Sequence, residues 1–379
     1  MENNLLSGHI PDKISSLTSL VHLYMSENRL SGNIPPSIGN LSGLKELGLH
    51  GNFLRGTVPD ELSGLEALRV LYLDNNTLGG HLPAWIGDLA ELTDLRLNTN
   101  SFEGTIPYLG ALKKLKLLYT HENRFTGRLP GWLWTMENLL EIQLHSNFLG
   151  GTISSKVSKM QDLAVLYLDA NLLTGTLPSE IGKMRLLRYL RADRNILEGT
   201  LPSALGQLGS LLNLHLQSNQ FEGTVPDMGS LTALEVVYLD NNALWGTIAD
   251  SIGAIGSLRR LDLSDNSFSG RIPPSIGGLS KLEELSLHNN ILNATIPPEL
   301  ENLTSLRVLS LSNNTLTGTI PQEMQALTTL QVLNLDGNKI IGDVPSMVCA
   351  LRELELRVFM SDCHGATPKL RCPCCTDCM

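Results

Sequence analysis

Five of the seven tyrosines, Tyr24, Tyr72, Tyr119, Tyr167 and Tyr238, occupy one register of a repeat whose step is 24 or 23 residues. Four of them carry an apolar residue two positions earlier (Val70, Leu117, Val165, Val236) and an acid or imidazole two positions later (Asp74, His121, Asp169, Asp240). Spacing of two puts all three side chains on one face of a strand. A tyrosine there offers a stiff apolar ring with a polar tip, which is the chemistry of contact rather than of bond making. Tyr72, Tyr119 and Tyr167 stand two repeats apart, about 10 Å, which matches roughly three residues of an extended peptide. Tyr and Val also simply suit strands. Exposed apolar groups in register nonetheless form a patch that predicts a partner.

The tyrosine register continues through His215, and in another repeat it holds Arg191, flanked by Arg188, Tyr189, Asp193 and Arg194. Arginine forks recognise carboxylate, sulfate or phosphate; internal pairing of Arg191 with Asp169 and Asp193 accounts for the same residues. The next outward register runs His50, Asp74, Asn98, His121, His145, Asp169, Asp193. His121, His145 and Asp169 fall on adjacent strands about 4.8 Å apart, near enough to share a divalent ion. A solvated polar surface is the simpler reading, and no metal or other cofactor is expected. The chain has no nucleophile–base signature, phosphate loop or H-E-x-x-H, and a broad shallow face supplies no pocket to shift a pKa. An enzyme is not expected.

The frame that positions these side chains is an asparagine ladder: Asn4, Asn28, Asn52, Asn76, Asn100, Asn123, Asn147, Asn171, Asn195, Asn219, Asn242, Asn266, Asn290, Asn314 and Asn338. Each lies in the unit L-x-x-L-x-L-x-x-N-x-L-x-G-x-I/L/V-P, as in Leu68, Leu71, Leu73, Asn76, Leu78, Gly80, Leu82, Pro83. The alternation at Leu71 and Leu73 predicts a short strand with leucines inward. The asparagine is expected to bond unpaired peptide groups of its loop and of the next coil. Gly80 permits a positive-φ turn, and Pro83 starts a tight, 3₁₀-like segment. One coil cannot bury its own leucines but a stack can, so one elongated solenoid of fifteen coils, roughly 70 Å long, is expected. Thr120 and Ala192 replace a core Leu, and Ser154 and Ala249 replace the Pro. The two short repeats follow Phe102–Thr105 and Phe221–Thr224, and this offset suggests block duplication.

A net charge of −10 with scattered Lys and Arg argues against nucleic acid, and no apolar run approaches the length of a membrane span. Met1 falls inside a repeat without a signal peptide or capping segment, so a piece of a longer protein is expected. At the other end, counting on from Asn338 places Asp362 in the asparagine slot, after a last strand over 354–360. Residues 1–348 are read as the solenoid and 349–379 as a cap. All six cysteines lie in that cap: Cys349, Cys363, Cys372, Cys374, Cys375 and Cys378. An even, end-confined set reads as three disulfides with fifteen pairings open, hence an oxidising compartment. The rival is Zn²⁺ held by the thiolates with His364 nearby, which the crowded spacing disfavours. Asn40, Asn75, Asn293, Asn302 and Asn313 are sequons that permit N-glycosylation.

The repeat unit resembles the plant-specific class of leucine-rich repeat, found in ectodomains of plant receptor-like kinases, receptor-like proteins and polygalacturonase-inhibiting proteins. The match covers about 340 residues. It implies an α/β solenoid, a right-handed superhelix with a parallel concave sheet, a convex side of 3₁₀ and short helical segments, and a cysteine-rich C-terminal cap. No long insertion breaks the array, so the island domains of some plant steroid and peptide receptors are absent. The cysteine tail is similar to one that ends leucine-rich repeat proteins of diatoms and related algae. Concave arginines of peptide-binding plant receptors hold a ligand's terminal carboxylate, a role the resemblance loosely assigns to Arg191. The expected function is non-catalytic recognition, secreted or at the cell surface. The ligand is a protein, peptide or cell-wall glycan on the concave face from about Tyr72 to Asp240, and a membrane co-receptor is a further implied partner. An inhibitor or adhesion module docking a whole protein is the first alternative. A structural or ice-interacting surface is the second, because Thr57, Thr105, Thr152, Thr176, Thr200, Thr224, Thr247, Thr295 and Thr319 form a rank after the glycine, as in ice-binding solenoids. Threonine as a strand former explains that rank more simply.

Overall fold

The computed structural model describes residues 1–363 and 370–378, in two compact units, Met1–Glu180 and Ile181–Met379. The same coil is built in both. In the coil of Asn76, Leu68, Leu71 and Leu73 are buried, and the strand Val70–Tyr72 alternates half-buried, buried, half-buried. Two side chains therefore face out for each leucine that faces in. This strand pairs in parallel with both neighbours, Leu71 lying opposite Leu47 and Leu95. A second short strand, Thr77–His81, follows, and the chain then turns at Pro83 into a 3₁₀ segment, Ala84–Asp88. The outward strands of the first unit run in sequence order from His22–Tyr24 to Val165–Tyr167. Those of the second run from Tyr189–Arg191 through Val358–Ser361.

The ladder asparagine explains why the coil can turn with its backbone buried. Asn147 Oδ1 accepts from Phe125 N at 2.9 Å, and its Nδ2 donates to the carbonyls of Thr120, Leu144 and His145 at 3.1–3.2 Å. One amide thus bonds four peptide groups: it pairs Phe125 N, which would cost about 1–3 kcal/mol if left buried and unpaired, and it shares the three carbonyls with Asn123, Asn171 and Glu122 N. The inter-coil bonds reach back to the preceding coil, where the sequence reading expected the following one. The residue before the asparagine takes φ near +50° whatever its type: Glu27 at 52°, Ala170 at 51° and Arg194 at 52°. That left-handed backbone carries a steric penalty for a non-glycine residue, and the asparagine's bonds on either side hold it in place.

The threonine rank has a packing origin. Gly175 sits at φ 74°, and a Cβ there would come 3.0 Å from Cγ2 of Thr152; Gly270 stands in the same relation to Thr247. Each threonine methyl covers the bare glycine of the next coil, which links the two motif positions. The short repeats also show a local consequence: the stretches 106–115 and 225–234 carry no 3₁₀ segment among the described residues.

The C-terminal coil corrects two expectations. Val308 lies opposite Val332, 24 residues on, but Val332 lies opposite Val358, 26 residues on. Two extra residues enter before the last full strand, so the count of 24 from Asn338 falls two residues short and Asp362 is not in the asparagine slot. It stands instead in the register of Asp336, and its carboxylate accepts from Gly337 N and Asn338 N at 2.8 and 2.9 Å. Nor does a strand over 354–360 end the sheet. The strand is Val358–Ser361, and Asp377–Cys378 pairs with it as a further one. Cys349–Cys374, Cys363–Cys378 and Cys372–Cys375 are disulfide-bonded, and no described cysteine is free. His364, named in the zinc alternative, lies outside the described residues.

Candidate functional site

In the first unit the tyrosine register is a bonded network. Tyr24 OH donates to Glu46 Oε2 at 2.9 Å, Tyr72 OH to Asp94 Oδ2 at 2.5 Å, and Tyr119 OH to the Glu141 carboxylate. Each acid lies 22 residues after its tyrosine, a diagonal neighbour on the adjoining strand. Burial, then the carboxylate bond, pushes Tyr24 up to about 12 and Tyr72 and Tyr119 higher still, so all three remain neutral donors. Arg96 fills the space between two of them. Its guanidinium carbon is 4.4 Å from the Tyr72 ring centroid and 5.1 Å from that of Tyr119. Nε and Nη2 bond the two Asp94 oxygens at 3.2 and 3.0 Å.

Glu46, Asp94, Arg96 and Glu141 were not among the expected site residues. The signal that identifies the acids is present: an acid follows at the same interval after three successive tyrosines of the register.

A run of rings continues from Tyr119. His121 lies 6.1 Å from it, His145 stacks on His121 at 4.2 Å with planes 13° apart, and Tyr167 meets His145 edge-on at 5.9 Å. His50 meets Tyr72 edge-on at 5.7 Å. Tyr72, Tyr119, His121 and Tyr167 therefore do share one face. Asp74 and Asp169 are recessed beneath it, 9% and 5% exposed, which corrects their expected place on a solvated surface. The expectation of unshifted pKa values also fails. Burial, then the neighbouring His145, pushes His121 down to about 4, and burial raises Asp74. An open face desolvates groups when large neighbours cover them from the sides.

In the second unit Arg191 Nε lies 3.6 Å from Asp193 Oδ1, and Asp193 is only 1% exposed. Of the internal pairing weighed from sequence, the contact with Asp193 is present. Arg188 leans over the Tyr189 ring at 5.9 Å. His215 meets Tyr238 edge-on at 4.8 Å, and burial, then Arg191, pushes His215 down to about 4. Asp240 is pushed up to about 6 by burial, then by Asp262. Beyond Tyr238 the outward side chains shorten. Asp262 accepts from Ser264 N and Oγ at 2.9 and 2.6 Å, and Ser286 and Ser310 are buried among their neighbours. The five sequon asparagines, Asn40, Asn75, Asn293, Asn302 and Asn313, are all exposed.

An apolar cavity beside Ala249, lined by Val225, Met228, Ile252 and Phe268, has a volume of about 20 Å³, room for no more than a water. No helix among the described residues is long and apolar enough to cross a membrane.

Models of the leucine rich repeat match residues 42–102, 232–292, 280–340 and 19–41. No curated protein matches the chain. Among solved structures, the plant peptide hormone receptor RGFR1 in complex with RGF2 aligns at TM-score 0.80 and 31% identity, over 97% of this chain and 66% of its own. The ectodomain of the Arabidopsis receptor kinase HAESA, in complex with an IDA peptide hormone, aligns at 0.74 and 31%, over 94% and 68%. The Leptospira interrogans leucine-rich repeat protein LIC12759 aligns at 0.72 and 33%, over 91% and 90%. Against three of the receptor structures the chain spans 66%, 54% and 65% of their length. The L-x-G-x-I-P coil, its parallel strand pairing and these likenesses together place the chain in the leucine-rich repeat family, in its plant-type class.

Proposed function

We propose that this chain is a non-catalytic, extracellular recognition module that binds a protein, peptide or cell-wall glycan on its concave face. The observation that carries the reading is Arg96, held between the rings of Tyr72 and Tyr119 and braced by Asp94. A cation and two rings already fixed by internal bonds lose little freedom on binding, so more of the contact energy appears as affinity. The ring run from Tyr119 to Tyr167 extends the surface, with His215, Tyr238 and Asp240 as a second contact set and Arg191, paired with Asp193, behind it. Solved relatives of this fold carry peptide hormones, which supports a peptide as the ligand, and the HAESA complex with IDA and the co-receptor SERK1 supports a co-receptor as a further partner. Three disulfides support an oxidising, extracellular setting. The test is capture of a ligand from host extracellular material by immobilised protein. Tyr119→Ala with Tyr167→Ala should abolish capture while the melting temperature falls only slightly. Undiminished capture by the double variant would remove the reading.

A further inference from the structure

We propose that His121, His145 and Glu122 form a binding site for one divalent transition-metal ion of the zinc, nickel and copper class. One ligand atom from each of the three lies within 4.8 Å of the others. The strands Leu117–Tyr119 and Glu141–Gln143 are paired with Tyr119 opposite Gln143, which sets the two histidines across from each other two residues on. Their rings stack at 4.2 Å. An ion bound at 2.0–2.1 Å from each nitrogen with tetrahedral angles needs those nitrogens roughly 3.4 Å apart. The pair is therefore within about 1.4 Å of a chelating separation, and the rings must rotate out of their stack so that both lone pairs face the ion.

The chemistry of the donors agrees. Metal ligation requires neutral imidazole, and two histidines with a carboxylate supply three neutral or anionic donors. Nδ1 of His121 is buried without a well-formed hydrogen bond, the kind of unpaired polar atom that an ion can satisfy. His145 has two ring nitrogens, so a partner on one leaves the other for the ion. Glu122 is exposed, and Thr99 Oγ1 donates to its Oε2 at 3.0 Å, which steadies the carboxylate and leaves its other oxygen for the ion. Two imidazoles with one carboxylate suit zinc, nickel or copper over calcium or magnesium. At least one coordination position stays open to water or to a ligand group. Asp169, the third ligand considered from sequence, is recessed at 5% exposure, and Glu122 takes that place.

The site does not depend on the proposed function, and the probe is the metal alone. Full-length, disulfide-intact protein is titrated with Co²⁺, read by its visible d–d absorption, and with Zn²⁺ by calorimetry. One equivalent should bind. His121→Asn or His145→Asn should weaken binding by more than the roughly 10–100-fold that loss of a supporting group costs. Glu122→Gln, a change at an exposed residue that leaves the core intact, should weaken it at least about tenfold by the same comparison. Zn²⁺ should raise the melting temperature of the wild type and not of the histidine variants. Absence of d–d bands and of binding heat in the wild type overturns the proposal. So does affinity unchanged in Glu122→Gln and both histidine variants, which would put the ion elsewhere on the chain.

Discussion

The outward face over residues 72–167 and that over residues 240–310 stand on the same ladder and carry opposite chemistries. Asn147 and Asn290 make the same four bonds, an accepted N–H at 2.9 Å from Phe125 or Phe268 and three donated bonds at 3.0–3.2 Å. Above the first lie Tyr72, Arg96, Tyr119, His121, His145 and Tyr167, rings and a cation in mutual contact. Above the second lie Asp240, Asp262, Ser264, Ser286 and Ser310, short side chains, of which Asp262 bonds Ser264 and Ser310 bonds His288. The ladder and the inward leucines are sufficient for the coil, so the outward registers are free to vary with the partner.

The largest effect tests that independence. Asn147→Ala and Asn290→Ala each leave one buried N–H, that of Phe125 or Phe268, without its partner and remove three bonds to carbonyls that keep another donor, so each should cost about 3–5 kcal/mol in urea denaturation. Equal losses support a ladder indifferent to the face above it. A much larger loss at Asn147 would show that the aromatic run and the ladder are coupled.

Removing a face residue should cost less, and unequally. Arg96→Ala deletes two ring contacts and two bonds to Asp94, about 1–2 kcal/mol in total, and should also abolish ligand capture. Asp262→Ala loses its bonds to Ser264 but relieves the repulsion that raises Asp240. Its net cost should be near zero, and capture should persist. Loss of capture in Asp262→Ala alone would move the binding surface to the acidic face.

The two regions should also respond to acid with opposite signs. His121 titrates near 4 in the fold against 6.5 unfolded. Between those values the unfolded chain holds the extra proton, and stability falls as pH drops through that window. Asp240 titrates near 6 in the fold against 3.8 unfolded. There the folded chain holds the proton, and stability rises as pH drops from 6 toward 3.8. His215 shares the direction of His121, so the contrast is read from variants. His121→Gln should flatten the acid loss in melting temperature measured against pH, and Asp240→Asn should remove the acid gain. Parallel pH profiles for wild type and both variants would show that neither group titrates away from its unfolded value.

Periodicity carries the fold because leucine and asparagine must recur wherever a coil closes, and the cysteine tail shows its disulfides by count. The face is less legible. Glu46, Asp94 and Glu141 look like independent surface acids until the register makes them diagonal to Tyr24, Tyr72 and Tyr119. Asp74, Asp169 and Asp193 alternate as exposed residues should, yet the bulk of their neighbours buries them. The positive-φ position before each asparagine has no residue signature, since Glu27, Ala170 and Arg194 all adopt it; the side chain that stabilises it belongs to the next residue. The shift at Asp362 comes from two added residues in a stretch without a repeat motif, where counting has nothing to hold it in register.

The smallest effect compares the two regions at their one shared departure from the motif. Behind His145 the proline is replaced by Ser154, at φ −77° and ψ 147°, whose side chain accepts from Lys156 N at 3.3 Å. Behind Asp240 it is replaced by Ala249, at φ −68° and ψ 141°, with no side-chain cap. Both backbones already match those of Pro202 and Pro273, at φ −69° with ψ 138° and 135°. Ala249→Pro should therefore stabilise by about 0.5–1 kcal/mol, by restricting the unfolded chain without straining the folded one. Ser154→Pro has the same entropic gain but forfeits the cap bond, so its net effect should be close to zero. Paired thermal melts decide it: equal gains would mean that the long Ser154 bond contributes nothing, and a loss at Ala249 would mean that its N–H is needed where the proline coils need none.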